Sequence, residues 1–184
     1  MNAKKVIIAG IRTIWTTIRL SLGKILHGGR LTFRVPTCLA LSDSVSLSKN
    51  GSADFGKGIR TRGGCSINVQ ESGRLVFGEN VFLNKGCLLN CHSHIVIGDG
   101  CEFGPNVLIY DHDHDFKKGN FKEGNFTYGT VTIGKDCWIG ANTVILQGTS
   151  IGEGSVIAAG SIVKGDVPAH SLLVQKRTTE IRSI

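Results

Sequence analysis

The sequence predicts an all-β solenoid, in which short strands wind into a three-sided prism behind one N-terminal amphipathic helix. Three observations predict it. Ile133, Ile139, Ile145, Ile151, Ile157 and Val163 recur at strict intervals of six. Four residues after each stands Cys137, Thr143, Thr149, Ser155, Ser161 or Val167, all small or β-branched. Glycine accounts for 25 of 184 residues while aromatics make up only 7%, a mixture suited to repeated tight turns rather than an aromatic-centred core. A period of six is neither the two of a half-buried strand nor the 3.6 of a helix.

In chain order, residues 1–28 have helical spacing. Ile7, Ile11, Ile14, Ile18, Leu22 and Ile25 share one face, joined by Trp15 and Leu26, with Arg12, Arg19 and Lys24 elsewhere. Residues 29–54 read as an extended, irregular lead-in. Residues 55–168 form the solenoid. Each hexad there is a short strand plus a turn, and three hexads close one coil. The aliphatic residue fills the prism, the small residue four later fits a crowded corner, and a Gly or Ala after the aliphatic one (Gly134, Gly140, Gly152, Ala158) lets the chain turn. Stacked coils pair as parallel strands, so each residue is expected over its equivalent three hexads away. Upstream coils are less regular: Ile97, Phe103 and Ile109 form one, Phe77, Leu83 and Leu89 another, and a third starts near Phe55. The rhythm stops at residues 111–130, a polar extruded loop with Phe116, Phe121, Phe126 and Tyr128 as aromatic anchors. Residues 169–184 are a basic tail that leaves the solenoid.

The formal charge of +7 belongs to the N-terminal segment. Residues 1–34 carry Lys4, Lys5, Arg12, Arg19, Lys24, Arg30 and Arg34 and no acid, and the rest of the chain is neutral. No aromatic–basic platform accompanies this charge, which disfavours nucleic-acid binding. Six cysteines are too sparse for a disulfide scaffold. Cys65, Cys87, Cys101 and Cys137 occupy the small inward slot as core fillers, so reduced thiols and a cytoplasmic location are expected. No uninterrupted apolar run reaches the roughly 18 residues of a membrane span. The N-terminal helix instead suits either of two roles. It can lie on an anionic membrane surface at the inner face of the membrane, or it can cap the open end of the solenoid or pack in an oligomer.

The repeat, the loop bearing His112 and His114, the segment Cys137-Trp138-Ile139-Gly140-Ala141-Asn142, the run Ala158-Ala159-Gly160-Ser161-Ile162-Val163 and Asp166-Val167-Pro168 resemble the hexapeptide-repeat acyltransferases. The likeness covers about residues 55–184 and is strongest to the maltose, galactoside and polysaccharide O-acetyltransferase branch. It implies a left-handed parallel β-helix, an exception to the right-handed crossover rule, and a homotrimer with active sites between neighbouring solenoids. It also implies acetyl-CoA as acyl donor and a sugar or lipid-linked glycan as acceptor, without a metal. An anchored enzyme would suit a lipid-linked acceptor.

Acetyl transfer needs a base, donors for the developing oxyanion and a slot for coenzyme A. The resemblance makes His112 the base with His114 in reserve, and Asp111, Asp113 and Asp115 are all available to hold its tautomer. It matches Asn84 to an asparagine that faces the reacting centre from a neighbouring subunit. A turn asparagine is the plainer reading. Trp138 either lines the acceptor pocket or packs on an outer face. For coenzyme A the resemblance implies backbone contacts at Ala141 and Ala159, with Lys164 and Arg182 near the phosphates; Lys176 and Arg177 are extra cations that suit the same phosphates. Here Lys164-Gly165 and Gln175-Lys176-Arg177 depart from the family pattern. The three-hexad register stacks His94 on His112, so His92, His94, His112 and His114 should cluster. His92 and His94 then line the acceptor site, or three histidines of the cluster bind zinc in a carbonic-anhydrase-like enzyme. A non-catalytic trimeric solenoid is the third reading.

Overall fold

The computed structural model describes residues 3–115, 117, 124–176, 178 and 180–182, with side chains from Val6 onward. It is a left-handed parallel β-helix preceded by one long helix, α1 (Ala3–His27). Three parallel sheets form the faces of the prism. The first face has seven strands, from Leu31–Phe33 to Asp166–Val167. The second has six, from Arg60–Thr61 to Leu172–Leu173, and the third six, from Ser44–Leu47 to Ile162–Val163.

Inward columns hold the coils together. Ile133, Ile139, Ile145, Ile151 and Ile157 are all essentially inaccessible, as are Phe55, Leu75, Leu83, Leu89, Ile95 and Ile109 in the earlier coils. Each inward side chain stacks on its equivalent in the next coil: Phe103 lies between Leu83 and Ile139, and Ile109 between Leu89 and Ile145. The small residues of the hexads also point inward. Thr143 and Thr149 donate their hydroxyls to the carbonyls of Gly140 and Leu146 three positions earlier, which satisfies a polar group inside an apolar prism. Cys65 and Cys87 stack in one corner slot and Cys101 and Cys137 in another, all buried. The bond shared with its neighbour, then burial, raises the thiols of Cys65 and Cys101. The glycines after the aliphatic residue answer a close approach. A Cβ on Gly152 would lie 2.2 Å from the Ala169 nitrogen of the next coil.

The coil length is not uniform: the earlier coils have four-residue strands on the first and third faces, each with two inward side chains, such as Ile67 and Val69 or Leu75 and Phe77. Ile133 pairs with Ile151, the step that three hexads predict. Leu75 instead pairs with Ile95 and Ala53 with Leu75, so the earlier coils are longer than three hexads. The solenoid also starts and ends outside the expected limits. Leu31–Phe33 already pairs with Ser52–Phe55, and Leu172–Leu173 still pairs with Val156–Ile157, so both the lead-in and the start of the tail contribute strands.

Helix α1 lies across the N-terminal end of the prism. Arg12 Nη2 donates to the Thr61 carbonyl at 2.7 Å and Arg19 Nη1 to the Asp43 carbonyl at 2.9 Å. Thr16, 1% exposed, accepts from the Leu39 N–H at 3.0 Å, and Leu20 joins Leu31 and Leu39 in the core. The helix thus closes the open end, but not with the face that the spacing of isoleucines suggested. The Arg12, Thr16, Arg19 and Leu20 face is docked, while Ile7, Ile11, Ile14, Ile18, Leu22 and Ile25 remain exposed. The first coil ends in unpaired carbonyls that need donors, and arginines supply them.

Shortening a column should be costly where an equal change outside is not. Ile139→Ala is expected to lower unfolding stability by about 2–5 kcal/mol, and Gly152→Ala by about 1–3 kcal/mol. Ile162→Ala, at a 55% exposed position, should stay within about 0.5 kcal/mol. Urea denaturation followed by circular dichroism measures all three.

Candidate active site

At the corner between the third and first faces the chain breaks the apolar rule of its own interior. The inward column there runs Leu47, Val69, Cys91, and the next residue in register is Asp111, fully buried. A carboxylate in that place needs donors. Asp111 Oδ1 accepts the His92 N–H at 2.8 Å and Oδ2 the Ser93 N–H at 2.7 Å. Oδ1 also lies 3.2 Å from His112 Nδ1. The carboxylate therefore holds the Nδ1 proton of His112 and leaves Nε2 with its lone pair, on a ring only 10% exposed. Burial first, then Asp111, raises the thiol of Cys91 beneath it, so this neighbour stays neutral.

At the base of the extruded segment His112–His114 and Phe126–Tyr128 pair as a two-stranded antiparallel ribbon in which His112 opposes Tyr128 and His114 opposes Phe126. Asp111 fastens its base, its carbonyl accepting from the Gly129 N–H at 2.9 Å. The His112 ring stacks on His92 with centroids 3.7 Å apart, and the Phe126 ring meets both edgewise at 5.3 and 5.1 Å. Tyr128 donates to Glu71 Oε2 at 2.8 Å, and Glu71 Oε1 lies 3.6 Å from His92 Nδ1. Burial, and next the adjacent His112, lowers the pKa of His92. His114 is exposed. Its ring rests 4.8 Å from Phe126 and its backbone N–H donates to Asp113, so no buried carboxylate orients it. Of the three aspartates, Asp111 is the one that holds the His112 imidazole. Phe116 and Phe121 lie outside the described residues.

The expected stacking of His94 on His112 is not what forms. Leu88 pairs with Leu108, a step longer than three hexads, which brings His92 over His112, while His94 starts a first-face strand in register with Arg74. Two imidazoles stacked face to face do not aim their lone pairs at one ion. No group of three or more His, Cys, Asp or Glu side chains among the described residues is arranged to hold a metal. The three-histidine zinc site does not fit this geometry.

A second candidate region runs along the corner between the second and third faces. A groove of about 390 Å³ is lined there by Asn84, Pro105, Trp138, Ala141 and Ala159, with Gly104, Gly140 and Ala158 in its floor. These residues are register equivalents: Asn84, Gly104, Gly140 and Ala158 follow the paired residues Leu83, Phe103, Ile139 and Ile157. Alanines and glycines leave backbone exposed in a narrow apolar slot, which fits a thin flexible arm such as pantetheine. Asn84 Oδ1 accepts from the Lys85 N–H at 2.9 Å, the turn role, and its amide nitrogen is left for the groove. Trp138 is 58% exposed and lines the groove, away from His92.

Asn84, Trp138, Ala141 and Ala159 are thus brought together, and His92, His112 and His114 together elsewhere. The whole third face separates the two corners of one protomer. Lys164 follows Ile162–Val163 and so lies on the His112 edge, not beside Ala141 and Ala159. Lys176 is exposed in the C-terminal segment, Arg182 pairs with Glu180 through two 2.9 Å contacts, and Arg177 lies outside the described residues. Sequence reasoning missed Glu71 as the partner of Tyr128, and it did not single out Asp111. A signal for the latter existed, since Ile67-x-Val69, Leu89-x-Cys91 and Ile109-x-Asp111 repeat with a spacing of two and point the aspartate inward.

Residues 130–164 match the family model described as the hexapeptide repeat of succinyl-transferase. A hexapeptide-repeat acetyltransferase from Vibrio cholerae superposes with a TM-score of 0.58 at 25% identity, covering 93% of this chain and 87% of that one. The chain is thus similar to hexapeptide-repeat acetyltransferases in its repeat and in its fold. Further solved structures share the coil architecture. AntD, an N-acyltransferase from Bacillus cereus crystallised with dTDP-4-amino-4,6-dideoxyglucose and coenzyme A, reaches a TM-score of 0.67 at 19% identity over 89% of each chain. A maltose O-acetyltransferase from Clostridium difficile is 28% identical over 71% of this chain and 64% of its own, with a TM-score of 0.50. In sequence, a protein of Schizosaccharomyces pombe classed as an acetyltransferase is 38% identical over 92 residues, 49% of this chain and 44% of that protein. One from Staphylococcus aureus is 48% identical over 52 residues, 28% and 26%. The match spans less than half the length of these curated relatives.

The lowered pKa of His92 ties the stability of the chain to pH. Above about pH 6.5 the imidazole is neutral in both the folded and unfolded states. As pH falls below that value the unfolded chain takes up the proton first, so stability is lost towards the folded pKa. Denaturation near pH 8 and near pH 5 should show this loss. In His92→Phe, which keeps a ring against His112, the loss should shrink.

Proposed function

We propose that the protein is an acetyl-CoA-dependent O-acetyltransferase that acts on a hydroxyl of a sugar or polysaccharide precursor, with His112 as general base. The observation that carries this reading is the buried Asp111 holding His112 Nδ1 and leaving Nε2 as the free basic atom. In this mechanism Nε2 takes the proton of the acceptor hydroxyl as its oxygen attacks the thioester carbonyl. The imidazolium, balanced by Asp111, then returns that proton to the departing thiolate. No covalent acyl-enzyme is needed, and Asp111 remains ionised throughout, as in other carboxylate-oriented histidine bases. The Ala141 and Ala159 backbone supports the thin arm of the donor. The N–H of Ala141 is the candidate oxyanion donor, and Asn84 the candidate side-chain partner of the acceptor or intermediate.

Because the two corners lie on opposite edges of the third face, we propose a homotrimer in which the His112 corner of one protomer meets the Asn84 groove of its neighbour. His92, Phe126 and Trp138 then form walls of the acceptor pocket. Lys164, on the His112 edge, reaches the donor phosphates across the same cleft.

Purified enzyme assayed with acetyl-CoA over a panel of sugar acceptors is expected to release coenzyme A in an acceptor-dependent way. His112→Ala should reduce kcat by about 10²–10⁴-fold and His114→Ala by less than about tenfold. Asp111→Asn should reduce kcat while leaving the KM for acetyl-CoA nearly unchanged. Mixing the inactive His112→Ala and Asn84→Ala proteins under exchange conditions should restore part of the activity, since some mixed sites regain both residues. Full activity in His112→Ala rejects the base assignment, and no restoration on mixing rejects the shared site.

A further inference from the structure

The exposed face of α1 is the largest feature of the molecule that the proposed chemistry does not use. Ile7, Ile11, Ile14, Ile18, Leu22 and Ile25 are each 51–78% exposed. From Ile7 to Ile25 they mark five helical turns at an average spacing of about 3.6, so the stripe runs straight along the helix for about 27 Å. The opposite face is pinned to the first coil by Arg12, Thr16, Arg19 and Leu20. The stripe therefore looks outward along the prism axis, away from the corners that hold the candidate site.

We infer that this end of the solenoid docks onto an anionic lipid surface, with α1 lying flat in the interface. A straight stripe can place all six aliphatic side chains in one plane, whereas a coiled-coil partner would call for a seam repeating at about 3.5. Trp15, half-exposed beside the stripe, is the amphipathic ring favoured at such a boundary. Charge selects the partner. Residues 1–34 carry seven bases and no acid. Arg12, Arg19 and Arg30 donate to neutral backbone carbonyls of the coil, and Arg34 lies 3.8 Å from Glu79. Asp43, the acid beside Arg19, is buried and hydrogen-bonded to the Ala40 and Cys65 N–H groups, so this end of the prism keeps a net positive charge. A second copy laid on this face would bring the same positive charge against it, while anionic headgroups complement it. By length and mean hydropathy the helix from Val6 to Arg30 could cross a membrane. Spanning would first break the Arg12 and Arg19 bonds to the coil, and lying flat keeps both. The inference does not depend on the acetyltransferase reading.

Flotation of the full chain tests it, with vesicles of phosphatidylcholine alone and with about one-third phosphatidylglycerol, at low and at high salt. The protein is expected to float with the anionic vesicles at low salt and to be partly released at high salt. Ile14→Asp/Ile18→Asp should bind at least about tenfold less. Leu172→Asp, at an exposed aliphatic position near the other end, should bind like the parent. Light scattering without lipid should give the same mass for all three. Failure of the parent chain to float with anionic vesicles overturns the inference, as does equal binding by the Ile14→Asp/Ile18→Asp variant. A lower mass for that variant with unchanged vesicle binding also overturns it and assigns the stripe to a second copy.

Discussion

The interior of a three-sided coil has room for only a few side chains per turn, large ones on the faces and small or β-branched ones near the corners, and the rest of this molecule follows from that limit. Inward columns of Ile, Leu and Phe satisfy it on the faces, and Cys, Thr, Ser and Val satisfy it at the corners. Surplus residues either lengthen a strand, which adds a second inward side chain as in Arg74–Phe77 and His94–Ile97, or leave at a corner. The ribbon of His112–His114 and Phe126–Tyr128 departs in the second way. The same crowding forces glycine or alanine beside the aliphatic positions, as at Gly152.

The two candidate regions are both products of this packing. Along one corner, the small residues that allow coils to stack also leave backbone exposed in a groove, so a slot for a slender ligand comes with the fold. At the other, a single inward position is given to Asp111 instead of an apolar residue. Its burial makes it an anchor: two backbone N–H groups of the preceding coil and the His112 ring converge on it. The imidazole is thus oriented from within the rigid prism rather than by the ribbon on which it sits. The third face keeps the groove and the imidazole apart in one protomer, which is why the proposed chemistry calls for a second solenoid.

Much of this was legible in the sequence, and the parts that were not have physical reasons. The last coils follow the hexad strictly because nothing leaves their corners, so Ile133 to Val163 announce both fold and register. The early coils carry extra residues in longer strands, and a register counted in whole hexads then drifts. That count sets His94 on His112, but the longer coil delivers His92 instead. Helix α1 was legible as amphipathic, but not in orientation. Hydrophobicity alone turns the isoleucines inward, whereas the exposed carbonyls of the first coil at Thr61 and Asp43 draw the arginine face. Asn84, Trp138, Ala141 and Ala159 share a groove because they flank the second-face residues Leu83, Ile139 and Ile157. Lys164 has the same place after its aliphatic residue as Asn84, but Val163 lies on the third face, and so Lys164 belongs to another edge.

The register of the corner columns also bears on how such a molecule can change. The steps from Ile151 to Val167, Ile133 to Ile151, Leu75 to Ile95 and Ala53 to Leu75 all differ in length, yet they coexist in one stack with the inward contacts kept. A corner can therefore accept an insertion, or a whole coil can be duplicated, without repacking the layers above and below. Lengthening by one coil would extend the groove by one strand spacing, about 4.8 Å, and leave its cross-section unaltered. The prism behaves as a ruler whose graduations are coils, and the reach offered to an elongated ligand is set by how many of them the gene encodes.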